Sequence, residues 1–314
     1  MASLLKLKAV APNATIGIVT PASPAKPERV ARGVSALQTL GFAIKPGPNA
    51  LQRGPLYFAG SAVDRLADLH AAFSDPATSA VMAIRGGYGS NYLLEGLDLK
   101  TISGHAKPFF GYSDLTGVQL YLLDKLGLPA FHGPMLGADF FLEDGVHLES
   151  FRAALAGQPY TVGVAEGLRV LKHTTSKKHV TGTLYGGCLS ILVSLLGTPW
   201  EPATENKLLF LEDTGMKPYQ IDRMLWQLRA AGKFEGVSGI IFGEMLECNS
   251  PGAQPDLVDR AILSALEGLD VPIAIGLRSG HVSRQNVTLT LGVEAELALG
   301  DEPTLRILEP AVTA

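Results

Sequence analysis

The chain has 314 residues, of which 46% are hydrophobic and 18% charged, so a disordered or fibrous protein is excluded and two domains are favoured. The formal net charge is −4, which excludes the basic surface typical of proteins that bind nucleic acid or anionic lipid. Cys188 and Cys248 are the two cysteines, too few for a disulfide framework or a thiolate metal site.

The N-terminal segment does not resemble an export signal. Lys6, Lys8 and Pro12 interrupt its apolar residues, so the continuous hydrophobic stretch of such a signal does not form. The most hydrophobic later stretch, residues 188–200, is shorter than the ~20 residues that a membrane span requires. We therefore expect a cytoplasmic protein.

The first half of the chain alternates short apolar segments with helical patterns. Residues 14–20 form a β-rich run, and Pro27 begins a helix that Gly41 ends. Ser61 and Asp64 form a capping box for the next helix. Later in this half we predict strands at 80–84, 107–111 and 128–132 and a helix at 114–126. Strands alternating with helices at this spacing predict a mostly parallel sheet covered on both faces.

Glycine and proline weaken the pattern between residues 144 and 165, and this break divides the chain. We predict an N-terminal α/β domain at 1–150, a linker at 151–165 and a C-terminal mixed α/β domain at 166–314. The second half has a β-rich stretch at 160–184, helices at 187–196, 218–231 and 254–266, strands at 207–211, 237–242 and 271–275, and a closing antiparallel set at 286–291, 294–299 and 304–308.

A candidate nucleophile lies where a predicted strand turns directly into a helix. Ser113 at this turn would project its hydroxyl from the carboxyl end of the sheet, with free helix N–H groups behind it. The alternative is that Ser113 or Asp114 only caps the helix. The usual G-x-S-x-G pattern is incomplete, because Leu115 stands at the position of its last glycine.

A serine nucleophile needs a base and an acid that orients the base. His132 and His281 both follow predicted strands, and the residues alone do not choose between them. Glu212 and Asp213 end a strong apolar strand, and Asp213 is the better fit to a capping role. The remaining histidines are predicted at the surface or lack supporting context: His70, His105, His147, His173 and His179.

A glycine-rich segment, residues 85–90, follows another strand and matches neither G-x-G-x-x-G nor a Walker loop. Its backbone could hold an oxyanion or a substrate carboxylate, or it could be a simple turn. Arg85 is our candidate for the carboxylate, because a planar guanidinium suits that group, and a structural ion pair is the alternative. No cluster of His, Asp and Glu has metal-ligand spacing, so no metal is expected.

Seven segments occur in order across nearly the whole chain: YFAGSAVDRLADLHAAFSDP (57–76), AIRGGYGS (83–90), FFGYSDLTG (109–117), FHGPM (131–135), LYGGCLSILVSLLGTPWEP (184–202), LLFLEDTGMKPYQIDRMLWQL (208–228) and GLRSGHV (276–282). Together they closely resemble the L,D-carboxypeptidases of the serine peptidase class that includes the microcin-C immunity peptidases. The resemblance implies a flavodoxin-like N-terminal domain, a smaller mixed C-terminal domain, and a site in the cleft between them.

The resemblance also implies the roles of individual residues. Ser113 is the implied nucleophile, His281 the base and Glu212 the orienting acid. Gly87 and Asp114 are the implied backbone donors of the oxyanion hole. The chain departs from the family at Cys188, where members usually have Asn, and we assign this residue no catalytic role.

The implied activity is release of the terminal D-alanine from murein tetrapeptides during cytoplasmic cell-wall recycling, by a homodimer that uses no metal or organic cofactor. Three alternatives remain open. The nearest is a microcin-type immunity peptidase that cleaves an amide in a peptidyl- or aminoacyl-nucleotide. A general α/β-hydrolase esterase is disfavoured by the incomplete serine motif. A two-domain small-molecule binding protein would have no activity.

Overall fold

The computed structural model describes residues 3–174, 179–249, 252 and 254–313. The strands are β1 (Leu7–Lys8), β2 (Thr15–Val19), β3 (Ala43–Pro46), β4 (Ala80–Ala83), β5 (Phe109–Gly111), β6 (Ala130–His132), β7 (Tyr160–Val162), β8 (Arg169–Lys172), β9 (His179–Cys188), β10 (Lys207–Glu212), β11 (Gly239–Gly243), β12 (Ile273–Leu277), β13 (Leu289–Leu291), β14 (Glu294–Ala298), β15 (Thr304–Ile307) and β16 (Val312–Thr313). The helices are α1 (Pro27–Thr39), α2 (Ala62–Ser74), α3 (Leu99–Gly104), α4 (Thr116–Leu126), α5 (Leu148–Ala156), α6 (Leu189–Ser194), α7 (Pro218–Ala230) and α8 (Leu257–Ala265).

The first sheet has six strands in the order β13-β6-β5-β4-β2-β3, and all pairs are parallel except β13 with β6. Its central strands are continuous apolar runs, as the AVMA sequence of β4 illustrates, because both faces of a parallel sheet are covered. Helix α2 packs against β2 and β4. The predicted cap of α2 is present, since the backbone N–H of Asp64 donates to Ser61 Oγ at 3.1 Å.

The second sheet has eight strands in the order β7-β15-β14-β9-β10-β11-β12-β8. Strands β9 to β12 pair in parallel, and the strands on either side of them pair antiparallel. Buried apolar side chains of both sheets belong to one continuous core. The predicted fold class is therefore confirmed: a largely parallel α/β sheet followed by a mixed one.

The segment predicted as a linker, 151–165, is an ordered part of the fold. It contains most of α5 and all of β7. Phe151 and Leu155 of the helix are buried, and Gly157 ends it at φ +68°. Gly157, which weakened the sequence pattern, is thus the C-terminal cap of a short helix. In a helix of nine residues, such a cap is hard to distinguish in the sequence from a loop.

The closing strands differ from the sequence prediction in one respect. β14 and β15 pair antiparallel in the second sheet, as expected. β13 instead joins the first sheet, where Leu289 lies opposite His132 of β6. Alternating apolar residues identify a strand but not the sheet it enters. As a result, the segment 278–288 runs from β12 in the second sheet to β13 in the first.

Among the described residues, no helix is both long enough and apolar enough to cross a membrane.

Candidate active site

Ser113 lies two residues after the end of β5, at the start of a single 3-10 turn that leads into α4. Its φ is +64°, the left-handed region that a non-glycine residue seldom adopts. Such strain at a strand-to-helix turn exposes the hydroxyl above the end of the sheet. Gly86 makes room for it, because a Cβ at that position would lie 2.8 Å from the Ser113 Cβ.

His281 and Glu212 form a hydrogen-bonded pair at the carboxyl ends of β12 and β10. His281 Nδ1 lies 2.8 Å from Glu212 Oε2, and the backbone N–H of His281 donates to the same oxygen at 3.0 Å. Gly280 permits this contact at φ +90°, since a Cβ there would come within 2.5 Å of the Glu212 carboxyl carbon. Two bonds to one oxygen fix the orientation of the imidazole, which leaves Nε2 as the ring nitrogen available to the cavity.

The charge states of this pair follow from their contact. Burial alone would raise the pKa of Glu212, but the charge and hydrogen bonds of His281 outweigh burial and hold that pKa below its usual value. Burial would lower the pKa of His281, yet Glu212 outweighs it and raises that pKa. The carboxylate therefore stabilises the imidazolium that a base forms when it accepts a proton.

Ser113 and His281 line the same cavity, which has a volume of about 350 Å³. The chain thus brings together residues 113, 212 and 281 from three strand ends, one in the first sheet and two in the second. The Tyr112 ring packs against the His281 ring in a T-shaped contact, with 5.2 Å between the ring centroids. A shared cavity for Ser113 and His281 and a hydrogen-bonded His281–Glu212 pair are two of the features that a serine nucleophile, its base and an orienting acid require.

Two other loops hold the glycine-rich segment 85–90 against Ser113. The backbone N–H of Tyr88 donates to Ser23 Oγ at 3.1 Å, and the N–H of Ser90 donates to the Asp114 carboxylate at 2.7 Å. Within the described part of the chain, the backbone N–H groups of Gly87 and Asp114 donate to no other residue. Gly87 lines the cavity beside Ser113, and Asp114 directly follows Ser113 in the chain.

His132 occupies a different environment from His281. It is completely buried between Tyr112 and Phe210, with ring centroids 5.9 Å and 5.2 Å away. Neither ring nitrogen has a hydrogen-bond partner in the described structure, and burial lowers its pKa to about 4. His132 is a neutral core residue that does not line the cavity.

Asp213 and Cys188 make contacts that hold the fold together. Asp213 accepts from the backbone N–H groups of Ser190 at 2.8 Å and Thr214 at 2.9 Å, which ties the start of α6 to the end of β10. The Cys188 thiol is buried 3.7 Å from Asp213 Oδ2, and burial raises its pKa well above the ordinary value. A protonated, inaccessible thiol is a poor nucleophile.

A supporting layer beneath His281 was not foreseen from the sequence. Asp139 accepts from the hydroxyl of Tyr112 at 3.3 Å and from Asn286 Nδ2 at 3.1 Å, while Asn286 Oδ1 accepts from the Gly280 N–H at 3.0 Å. Burial raises the pKa of Asp139 to about 7. The available signal was a single acidic residue within an apolar stretch, which points to a buried polar contact.

Arg85, the residue predicted to bind a substrate carboxylate, lines the cavity, donates to the Pro24 carbonyl at 3.4 Å and forms no ion pair in the described structure. Three further cations that the sequence analysis missed line the same cavity: Lys26, Arg29 and Arg53. In the described ranges, no group of three or more His, Cys, Asp or Glu residues is arranged to hold a metal ion.

Comparison with known families gives two consecutive matches. Residues 16–133 match the LD-carboxypeptidase N-terminal domain, and residues 181–297 match the LD-carboxypeptidase C-terminal domain. Residues 113, 212 and 281 all fall within the matched ranges.

Individual relatives agree with these matches. The probable murein peptide carboxypeptidase of Bacillus subtilis (strain 168) is 36% identical over 93% of this chain and 91% of its own length. The muramoyltetrapeptide carboxypeptidase of Oxalobacter formigenes superposes with a TM-score of 0.82 at 28% identity, covering 94% of this chain and 99% of the other. The microcin C7 self-immunity protein MccF in its wild-type apo state superposes with a TM-score of 0.89 at 26% identity, covering 98% of this chain and 100% of the other.

Proposed function

Because this chain belongs to the LD-carboxypeptidase family, we propose that it is the serine hydrolase that releases the terminal D-alanine of murein tetrapeptides, with Ser113, His281 and Glu212 as its catalytic triad. The observation that carries the proposal is the 2.8 Å hydrogen bond between the buried Glu212 and His281, whose ring lines the same cavity as Ser113. Relatives named as murein peptide and murein tetrapeptide carboxypeptidases support the substrate.

In the first half of the reaction, Ser113 Oγ attacks the carbonyl carbon that precedes D-alanine while His281 Nε2 accepts the hydroxyl proton. Glu212 stays ionised and stabilises the imidazolium. The negative charge that develops on the carbonyl oxygen is met by the free backbone N–H groups of Gly87 and Asp114. One such donor typically contributes about 10²–10³ in rate.

In the second half, the carbon–nitrogen bond breaks and the amine of D-alanine leaves with the proton from His281. A water molecule then attacks the acyl-enzyme, His281 accepts its proton, and Ser113 is regenerated with release of the tripeptide acid. Arg85 binds the free carboxylate of the terminal residue in this proposal, which restricts cleavage to the end of the peptide.

We also propose that the enzyme acts in the cytoplasm as a homodimer in cell-wall recycling. The family resemblance supports this, and light scattering coupled to size exclusion tests the dimer directly. A mass close to one chain at micromolar concentration would contradict it.

The pH dependence of turnover follows from the raised pKa of His281. The base must be neutral, so kcat/KM is expected to fall as pH decreases through that pKa, at a higher pH than for an unperturbed imidazole. NMR titration of His281 in Ser113→Ala measures the same pKa without turnover. Adding Glu212→Gln removes the attracting charge and is expected to move this titration to lower pH. An unmoved titration would contradict the pairing.

Specificity for a free C-terminus gives a second prediction. Amidating the D-alanine carboxyl is expected to reduce kcat/KM by about 10²-fold, the value of one charge-assisted contact. Replacing D-alanine by L-alanine is also expected to reduce kcat/KM severely, because inversion at the α-carbon exchanges the positions of the methyl and carboxylate groups. Kinetics on the tetrapeptide, its amide and its epimer provide the measurement, and indifference to both changes would rule out a carboxypeptidase.

The second candidate function is hydrolysis of an amide in a peptidyl- or aminoacyl-nucleotide. The TM-score of 0.89 with the microcin C7 self-immunity protein favours it. A second cavity of about 240 Å³, lined by Tyr88 and Trp200, could hold an aromatic base beside Asp114. Mass spectrometry after incubation with murein tetrapeptide and with an aminoacyl-sulfamoyl adenosine separates the two functions. A binding protein without activity would cleave neither and would not react with a fluorophosphonate at Ser113.

A further inference from the structure

The cavity beside Ser113 is strongly cationic. Four basic side chains line it, and no Asp or Glu does: Lys26, Arg29, Arg53 and Arg85. None of the four forms an ion pair in the described part of the chain. The carboxylate of a terminal D-alanine needs one cation, so the cavity holds more positive charge than that single group can neutralise.

The surrounding fold directs three of these cations into the cavity. Lys26 is the N-cap of α1 and has no side-chain hydrogen bond to the helix, while Arg29 lies in the first turn. The Arg29 guanidinium stacks over the Phe141 ring at 4.5 Å from its centroid, which limits its freedom. Arg53 approaches from the loop between β3 and α2. The positive end of the α1 dipole adds to the attraction for an anion.

We propose that Lys26, Arg29 and Arg53 form a second anion site, which binds a carboxylate in the acyl part of the substrate, separate from the carboxylate of the leaving D-alanine. The inference rests on the proposed function and narrows its substrate class. In a murein stem peptide the γ-linked D-glutamate keeps its α-carboxyl free, and diaminopimelate carries a carboxyl on its side chain. The enzyme thus selects stem peptides whose acyl carboxyls are free and discriminates against peptides in which they are amidated.

The test compares stem tetrapeptides that differ only in amidation of the D-glutamate α-carboxyl or of the diaminopimelate side-chain carboxyl. Binding is measured by calorimetry in the Ser113→Ala background, so that affinity is read without turnover. We expect the free acid to bind about 10-fold more tightly than at least one amide, with the difference decreasing at high salt. Arg29→Gln and Arg53→Gln are expected to reduce the ratio of the two affinities towards one, because each weakens binding of the free-acid peptide and leaves binding of the amide unchanged.

Arg32→Gln is the matched control. Arg32 lies on the same helix and contacts the same Phe141 ring at 5.9 Å, but it does not line the cavity. This variant is expected to leave the acid-to-amide ratio unchanged. Three results would each overturn the second anion site. The first is equal affinity for acid and amide peptides before any substitution. The others are an affinity ratio that Arg29→Gln and Arg53→Gln leave unchanged, or one that Arg32→Gln reduces equally.

Turnover by the unsubstituted enzyme separates this inference from the proposed function. Hydrolysis of acid and amide peptides at equal kcat/KM supports the carboxypeptidase and overturns the second anion site. Preferential binding of the free acid without any release of D-alanine supports the second anion site and overturns the carboxypeptidase. Absence of binding by any of these peptides overturns the second anion site as well.

Discussion

Ser113→Ala is expected to lower kcat for D-alanine release by about 10⁴–10⁶-fold, since loss of a triad nucleophile removes the covalent route entirely. The substitution deletes one oxygen that makes no hydrogen bond within the described residues. Alanine and serine are both non-glycine residues, so the strain at φ +64° is nearly the same in each. Stability is therefore expected to change by no more than about 0.5 kcal/mol.

Chromatographic assay of D-alanine release measures this loss, and scanning calorimetry checks the fold. Ser35→Ala, a serine of α1 that does not line the cavity, is the matched control and is expected to retain full activity. A fluorophosphonate is expected to label the unsubstituted enzyme and not Ser113→Ala. A normal rate in Ser113→Ala would disprove the serine mechanism, and complete inhibition by a chelator would do the same.

His281→Ala is expected to lose nearly as much activity as Ser113→Ala, because a nucleophile without its base gains little from the rest of the triad. Glu212→Gln keeps the shape of the side chain but removes its charge, and a loss on the order of 10³-fold or more is expected. Asp213→Asn is the matched control for Glu212→Gln. It alters a residue that ties α6 to β10 and is expected to have a much smaller effect on rate.

His132 provides the matched control for His281. His132→Ala removes a fully buried ring and is expected to cost roughly 3 kcal/mol of stability while the remaining folded protein stays active. His132→Gln retains more of the volume and keeps the comparison usable if the alanine variant does not fold. Severe loss of kcat in His132→Gln with a native melting profile would show that the base was assigned to the wrong histidine.

The parts of the fold that the sequence predicted are those with local signals. Apolar runs identified β4, β5 and β10, and the Ser61 cap marked the start of α2. The strand-to-helix turn pointed to Ser113 for the same reason. The segment 151–165 was interpreted as a linker because the glycine that ends α5 also ends its periodicity. A nine-residue helix leaves too few turns for the period to show.

The rest of the site depends on contacts between distant parts of the chain. His132 and His281 look alike in the sequence, since each follows a strand, and only the family resemblance selected His281. Their different environments arise because β13 brings the segment 278–288 across to the first sheet. Lys26 and Arg53 come from separate loops, so no spacing rule could have placed them in one cavity.

Strand β13 also connects the two sheets through the chain. It completes the first sheet beside β6, although the strands before and after it in the chain belong to the second sheet. A fragment ending at residue 150 would lack this strand and leave the backbone of β6 as an unpaired edge, a surface prone to aggregation. A fragment beginning at residue 166 would contain β13 without the sheet it joins. A single cut between residues 150 and 166 would therefore separate β13 from the sheet that it completes.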